Sequence, residues 1–218
     1  MSDLREFVRP DARPLPVIVL ADVSGSMAAD GKIESLNRSL EAMIRSFATE
    51  AEGVAEIHIA VIGFADRAEL VVPLQPAKSV GLKALSAGGR TAMGAALSIT
   101  ADLVENQEVL PRRSYRPTIV LVSDGAPTDD VSGPIARFQG GTRASKADRM
   151  ALAIGADADE MMLRKFVSAS DGRVYRAQDA SNIRSFFKFV TMSVSTRTRS
   201  VDPNLVPALP SPGDLDLL

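Results

Sequence analysis

Asp22, Ser24 and Ser26 alternate in the run Asp22-Val23-Ser24-Gly25-Ser26, and two further oxygen-bearing residues, Thr91 and Asp124, stand later in the chain. Hydroxyls and carboxylates are hard donors. They suit Mg²⁺, with Mn²⁺ or Ca²⁺ as alternatives, and not zinc. The two carboxylates offset the charge of an ion, and the hydroxyls add none. A site of this kind stays electrophilic and can accept an Asp or Glu offered by a partner protein. The serine hydroxyls are expected to ligate directly, and one or both carboxylates to act through water. Gly25 is expected to permit the tight turn that aims both serines at one ion.

These residues can meet only if the surrounding elements converge. Residues 16–21 (PVIVLA) are a short, β-branched apolar run that predicts a strand buried on both faces, with Asp22 directly after it. Ile33, Leu36, Leu40, Met43, Ile44 and Phe47 recur at helical spacing, which predicts a helix over 33–52 closed by Gly53. Residues 56–64 and 69–74 read as strands close enough to form an antiparallel hairpin, and Pro73 suits an edge. Residues 88–91 form a glycine-rich loop that opens a helix carrying Met93, Ala96, Leu97, Thr100, Leu103 and Val104 on one side. A second buried strand covers 118–123 and ends at Asp124-Gly125. Residues 127–147 predict a partial helix with a loop near Gly140-Gly141. A strand over 150–154, a helix over 159–168, a short strand over 174–176 and a helix over 180–195 complete the order.

Strands alternating with helices imply an α/β fold. The simplest form is a doubly wound, mainly parallel sheet of about six strands, with one antiparallel edge strand and helices on both faces. Ligands of such sheets bind beyond the carboxyl ends of the strands, where the strand order reverses. The strands over 16–21 and 118–123 are neighbours at that point, so Asp22 and Asp124 are expected to face one crevice.

The chain of 218 residues suits one such domain. We divide it into an extension over 1–14, the domain over 15–196 and a Pro-rich tail over 197–218, read as disordered or docked. A net charge of −2 gives no support to nucleic-acid binding by bulk charge. The absence of cysteine excludes disulfides and thiolate chemistry. No signal-like or membrane-spanning run is present, so a cytoplasmic protein without a membrane span is expected.

With these residues in place, the chain resembles the von Willebrand factor type A (VWA) domain over about 15–195. Its metal-ion-dependent adhesion site matches Asp22, Ser24, Ser26, Thr91 and Asp124. Within that family, residues 123–130 (SDGAPTDD) resemble the bacterial TerY branch. That resemblance implies a role in tellurium resistance and stress response, with Ser/Thr kinases or protein phosphatases as partners.

Other readings of the same residues are weaker. Gly89 and Gly94 have the spacing of a phosphate-binding loop, but Ala95-Ala96 replace its Lys-Ser/Thr pair. His58, the only histidine, falls at the far end of its strand, which removes a Ser-His-Asp triad. Thr91 could cap a helix, Asp159 is expected to do so, and Asp129 and Asp130 read as solvated or capping. Arg112, Arg113 and Arg116 read as a solvated basic cluster. A haloacid-dehalogenase-like phosphatase would use Asp22 as nucleophile, but Ser24 stands where its general acid is needed. A metal-free scaffold is the third reading.

Overall fold

The structure, a computed structural model, describes residues 12–50, 55–168, 170 and 172–206. Its strands are β1 (Arg13–Asp22), β2 (Ala55–Phe64), β3 (Ala68–Pro76), β4 (Thr118–Ser123), β5 (Asp148–Ile154) and β6 (Val174–Ala177). Its helices are α1 (Lys32–Ala48), α2 (Met93–Glu105), α3 (Ser132–Gly140), α4 (Glu160–Val167) and α5 (Ala180–Thr198). The sheet runs β3-β2-β1-β4-β5-β6, and only β3 is antiparallel to its neighbour. This is the doubly wound, mainly parallel sheet of six strands with one antiparallel edge strand expected from the sequence, and β1 and β4 are neighbours as expected.

Apolar side chains alternate between the two faces of the central strands, because successive strand residues point oppositely. Val17 and Val19 of β1 pack with Leu36 and Leu40 of α1 and with Phe186 and Val190 of α5. Ile18 and Leu20 pack with Met93 and Leu97 of α2, Phe138 of α3 and Phe166 of α4. Two helix layers therefore cover the sheet. They hold the carboxyl ends of β1 and β4 in register, Ala21 beside Val122. Asp22 thus ends beside Ser123, and His58 lies at the opposite end of the sheet, paired in register with Pro16.

Several boundaries differ from expectation. β1 starts at Arg13 and β5 at Asp148, earlier than their apolar runs, and α5 continues to Thr198. α1 closes at Ala48, and Gly53 lies outside the described residues. The described start of the tail is docked: Arg197 is fully buried, its Nε donates to Pro203 O at 2.8 Å, and Arg116 N donates to Asn204 Oδ1 at 2.9 Å. Residues 1–11 and 207–218 lie outside the described residues.

Candidate metal centre

Beyond Asp22 the chain enters a single 3-10 turn, Gly25–Ala28, before α1. Asp22 is fully buried. Its Oδ1 accepts the Ser24 N–H at 2.8 Å, and its Oδ2 accepts the Ser123 hydroxyl at 2.6 Å. Ser24 Oγ lies 3.1 Å from Ser26 Oγ, and the Ser26 hydroxyl donates to Asp124 Oδ1 at 2.6 Å. The other oxygen of Asp124 accepts from Lys32 Nζ at 2.8 Å. Thr91 is buried, and its hydroxyl comes in from the third loop. A point one Cβ out from Gly125 lies 3.7 Å from Thr91 Oγ1 and 4.0 Å from Ser26 Oγ. The structure therefore gathers all five sequence-derived residues, Asp22, Ser24, Ser26, Thr91 and Asp124, around one crevice.

Burial pushes the Asp22 carboxyl above its usual range, and Asp124 close by adds to this; the hydrogen bonds from Ser123 and Ser24 oppose it. A cation would relieve both the burial cost and the mutual repulsion of the two carboxylates. The donors fit a hard divalent ion: neutral hydroxyls and two carboxylates, one of which, Asp124, already faces an ammonium. Both Asp22 oxygens are engaged by protein donors, which suits a carboxylate acting through water. Among the described residues no group of three or more His, Asp or Glu side chains could hold a metal instead.

Two positioning residues, Ser123 and Thr128, escaped the sequence reading, and a third, Asp129, takes the capping role read for it. Ser123 holds Asp22 while receiving the Gly125 N–H at 3.3 Å. Thr128 clamps Thr91 at both backbone atoms: Thr91 N donates to Thr128 Oγ1 at 3.2 Å, and Thr128 N donates to Thr91 O at 2.9 Å. Asp129 caps α2 from another loop, accepting from Gly94 N and Ala95 N at 2.8 Å each. Thr91 is therefore not the side-chain cap of α2. Ser123 ends β4, and Thr128 and Asp129 lie in the polar run after it, but the partners of all three are distant in sequence.

Gly25 works differently from expectation. It lacks a positive φ, and its N–H donates to Gly89 O at 3.0 Å, which ties the first loop to the glycine-rich one. The left-handed residue there is Gly89, φ 75°, where a Cβ would meet the Asp66 carboxylate at 2.6 Å. Asp66 in turn accepts the Arg90 N–H at 3.1 Å. Asp159 caps α4 through Met162 N as expected, and Asp130 accepts from Ser132 N at the start of α3.

The sequence profile of the von Willebrand factor type A domain matches residues 17–189. The chain belongs to this family. Its VWA fold is similar to a von Willebrand factor type A protein of Catenulispora acidiphila, with a TM-score of 0.66 and 20% identity over 83% of this chain and 42% of that one. An ArnB paralog, VWA2 of Sulfolobus acidocaldarius, superposes with a TM-score of 0.61 and 18% identity over 86% of this chain and 46% of that one. Proximal thread matrix protein 1 of the mussel byssus, solved with a zinc-occupied MIDAS motif, gives 0.65 and 15% over 82% of this chain and 47% of that one. This VWA chain thus spans less than half the length of each of these proteins. Among curated proteins no sequence matches it.

Proposed function

We propose that this VWA domain binds an acidic side chain of a partner protein through a divalent ion, without catalysis. The ion is Mg²⁺ or Mn²⁺, with Ca²⁺ as a further candidate, held by Asp22, Ser24, Ser26, Thr91 and Asp124. The observation that carries this reading is the hydrogen-bonded chain Ser24–Ser26–Asp124, backed by buried Asp22. Ser24, Ser26 and Thr91 supply neutral donors, so the ion keeps positive charge for an incoming carboxylate. Ser123 fixes the orientation of Asp22, and Thr128 and Asp129 fix the Thr91 loop. The mussel protein with zinc makes ion identity a matter for measurement, since transition metals bind a given site in an order set by more than ligand hardness.

Burial of Asp22 and engagement of both its oxygens weigh against its use as a phosphatase nucleophile, which must face its substrate. One observation favours the metal-free scaffold. Lys32 already satisfies Asp124, so the crevice is held together by the chain alone. The TerY-like run over 123–130 supports placing the domain in a tellurite-resistance or stress-response system with a Ser/Thr kinase or protein phosphatase partner. Among the described residues no helix is long and apolar enough to cross a membrane.

Capture on an immobilised Asp- and Glu-bearing peptide tests this directly. Retention is expected in millimolar Mg²⁺ or Mn²⁺, and loss is expected in chelator or with Ser26→Ala. Retention unchanged by chelator would favour the scaffold. Turnover of a phosphate ester abolished by Asp22→Ala would replace this reading with the enzyme.

A further inference from the structure

Lys32 is the first residue of α1 and falls in no part of the ligand pattern. Its ammonium lies 2.8 Å from Asp124 Oδ2 and 3.5 Å from Ser26 O. The Asp124 side chain is fully buried, and that of Lys32 is 19% exposed. A cation is electrostatically misplaced in the first turn of a helix, where unpaired N–H groups carry partial positive charge. Its placement therefore needs another cause, and Asp124 supplies it.

The backbone is shaped for this contact. Asp30 (φ 57°) and Gly31 (φ 67°) are consecutive left-handed residues. Asp30 is the only non-glycine with positive φ among the described residues. Such a conformation is sterically costly for an L-residue and persists where the surroundings hold it. Here it reverses the chain between the 3-10 turn and α1, so that Lys32 returns to the loop it has just left.

We propose that Lys32 is a tethered competitor for the divalent ion. This rests on the metal-site reading above. Asp124 is a candidate ligand, and the ammonium bonds to its Oδ2 at 2.8 Å; it also reaches the backbone carbonyl of Ser26, whose hydroxyl is a neighbouring candidate ligand. A divalent ion and an ammonium held at contact distance on this one buried carboxylate repel each other strongly. Metal loading therefore displaces the ammonium from Asp124. The competition weakens ion affinity and stabilises the metal-free protein. The freed ammonium, anchored at the rim by α1, adds a second positive charge beside the ion for an acidic partner. Lys32 is thus a positioning residue in one state and a contact for the partner in the other.

Calorimetric titration of Mn²⁺ into the full chain tests this with wild type, Lys32→Met and Lys32→Arg. Lys32→Met is expected to bind roughly tenfold more tightly, the size of one part-buried charge-assisted contact. Lys32→Arg keeps the charge and is expected to stay within about threefold of wild type. Melting in chelator provides an independent readout: Lys32→Met should melt lower than wild type, because Asp124 loses its partner. If Lys32→Met proves poorly folded, Lys32→Gln carries the same expectation. Binding by Lys32→Met but not by wild type supports both the site and the competition. Equal or weaker binding by a folded Lys32→Met, or equal tightening by Lys32→Arg, overturns the competition and leaves the site standing. No binding by any variant overturns both.

Discussion

At the scale of single residues, Asp22 carries a burial cost that its proposed role at the ion would relieve. Its folded pKa lies above its unfolded one because burial penalises the charge. The sign of the linkage follows. Its contribution to stability is present at low pH, below the ordinary carboxylate value of about 3.9. It is lost as pH rises through the raised folded value. Asp22→Asn removes that loss. In chelator, wild type should therefore fall relative to Asp22→Asn as pH rises from about 4 to 7. The variant should gain about 1 kcal/mol at neutral pH, read from urea midpoints, while losing metal binding. A difference that is flat with pH would contradict this. Ser123→Ala strips one Asp22 oxygen of its donor. It should cost about 1–3 kcal/mol and weaken ion binding by roughly tenfold or more. Loop 22–26 was legible in the sequence because all its oxygens are local. Ser123, Thr128 and Lys32 were not, because each acts through a partner supplied by another loop.

At the scale of elements, the sequence identified strands from apolar runs and helices from their spacing, and missed where β1 and β5 begin. β5 starts with Asp148 and Arg149, both buried, so its first residues read as polar loop. Arg149 is compensated in part from elsewhere: its Nη1 donates to Phe138 O at 3.2 Å, and its guanidinium lies 5.9 Å and 5.8 Å from the centroids of Phe138 and Phe166, while its Nε and Nη2 and Asp148 Oδ2 have no hydrogen-bond partner among the described residues. No local pattern reveals partners at that distance along the chain. The same holds for α2, whose N-terminal donors are satisfied by Asp129 across a loop. Asp129→Ala should cost about 1–2 kcal/mol, the usual loss for a cap with a favourable charge. Faster amide exchange at Gly94 and Ala95 would locate the effect. Exchange unchanged there would refute the capping role. Gly94 must stay small for the same packing, since a Cβ would come within 2.1 Å of Asp130 O.

At the scale of the whole molecule, the two ends of the sheet have separate tasks. The carboxyl ends of β1 and β4 carry the crevice. At the other end a buried polar cluster locks α5 to the sheet. Arg197 donates to Pro203 O at 2.8 Å, to Thr118 Oγ1 at 2.6 Å and to Arg116 O at 2.6 Å. Burial lowers its pKa to about 10, with Asp148 opposing the shift. Arg197→Ala leaves several buried acceptors unpaired and should cost about 3–5 kcal/mol without altering ion affinity in protein that remains folded. This cluster was invisible in the sequence, where Arg197 reads as the start of the tail. The sheet type and the neighbourhood of β1 and β4 were visible, because right-handed crossovers and a single hairpin leave few arrangements.

That order places Asp22 beside Ser123 and Asp124, and on it rests the central claim that the crevice holds a divalent ion. Thermal melting of wild type and Asp22→Ala, with Mg²⁺ or Mn²⁺ and with chelator, tests that claim most directly. An ion that binds only the native state adds about 2.7 kcal/mol at a hundred times its dissociation constant. Wild type should gain melting temperature with metal, and Asp22→Ala should not. Equal melting of wild type in saturating metal and in chelator, with no heat of binding, would contradict the account.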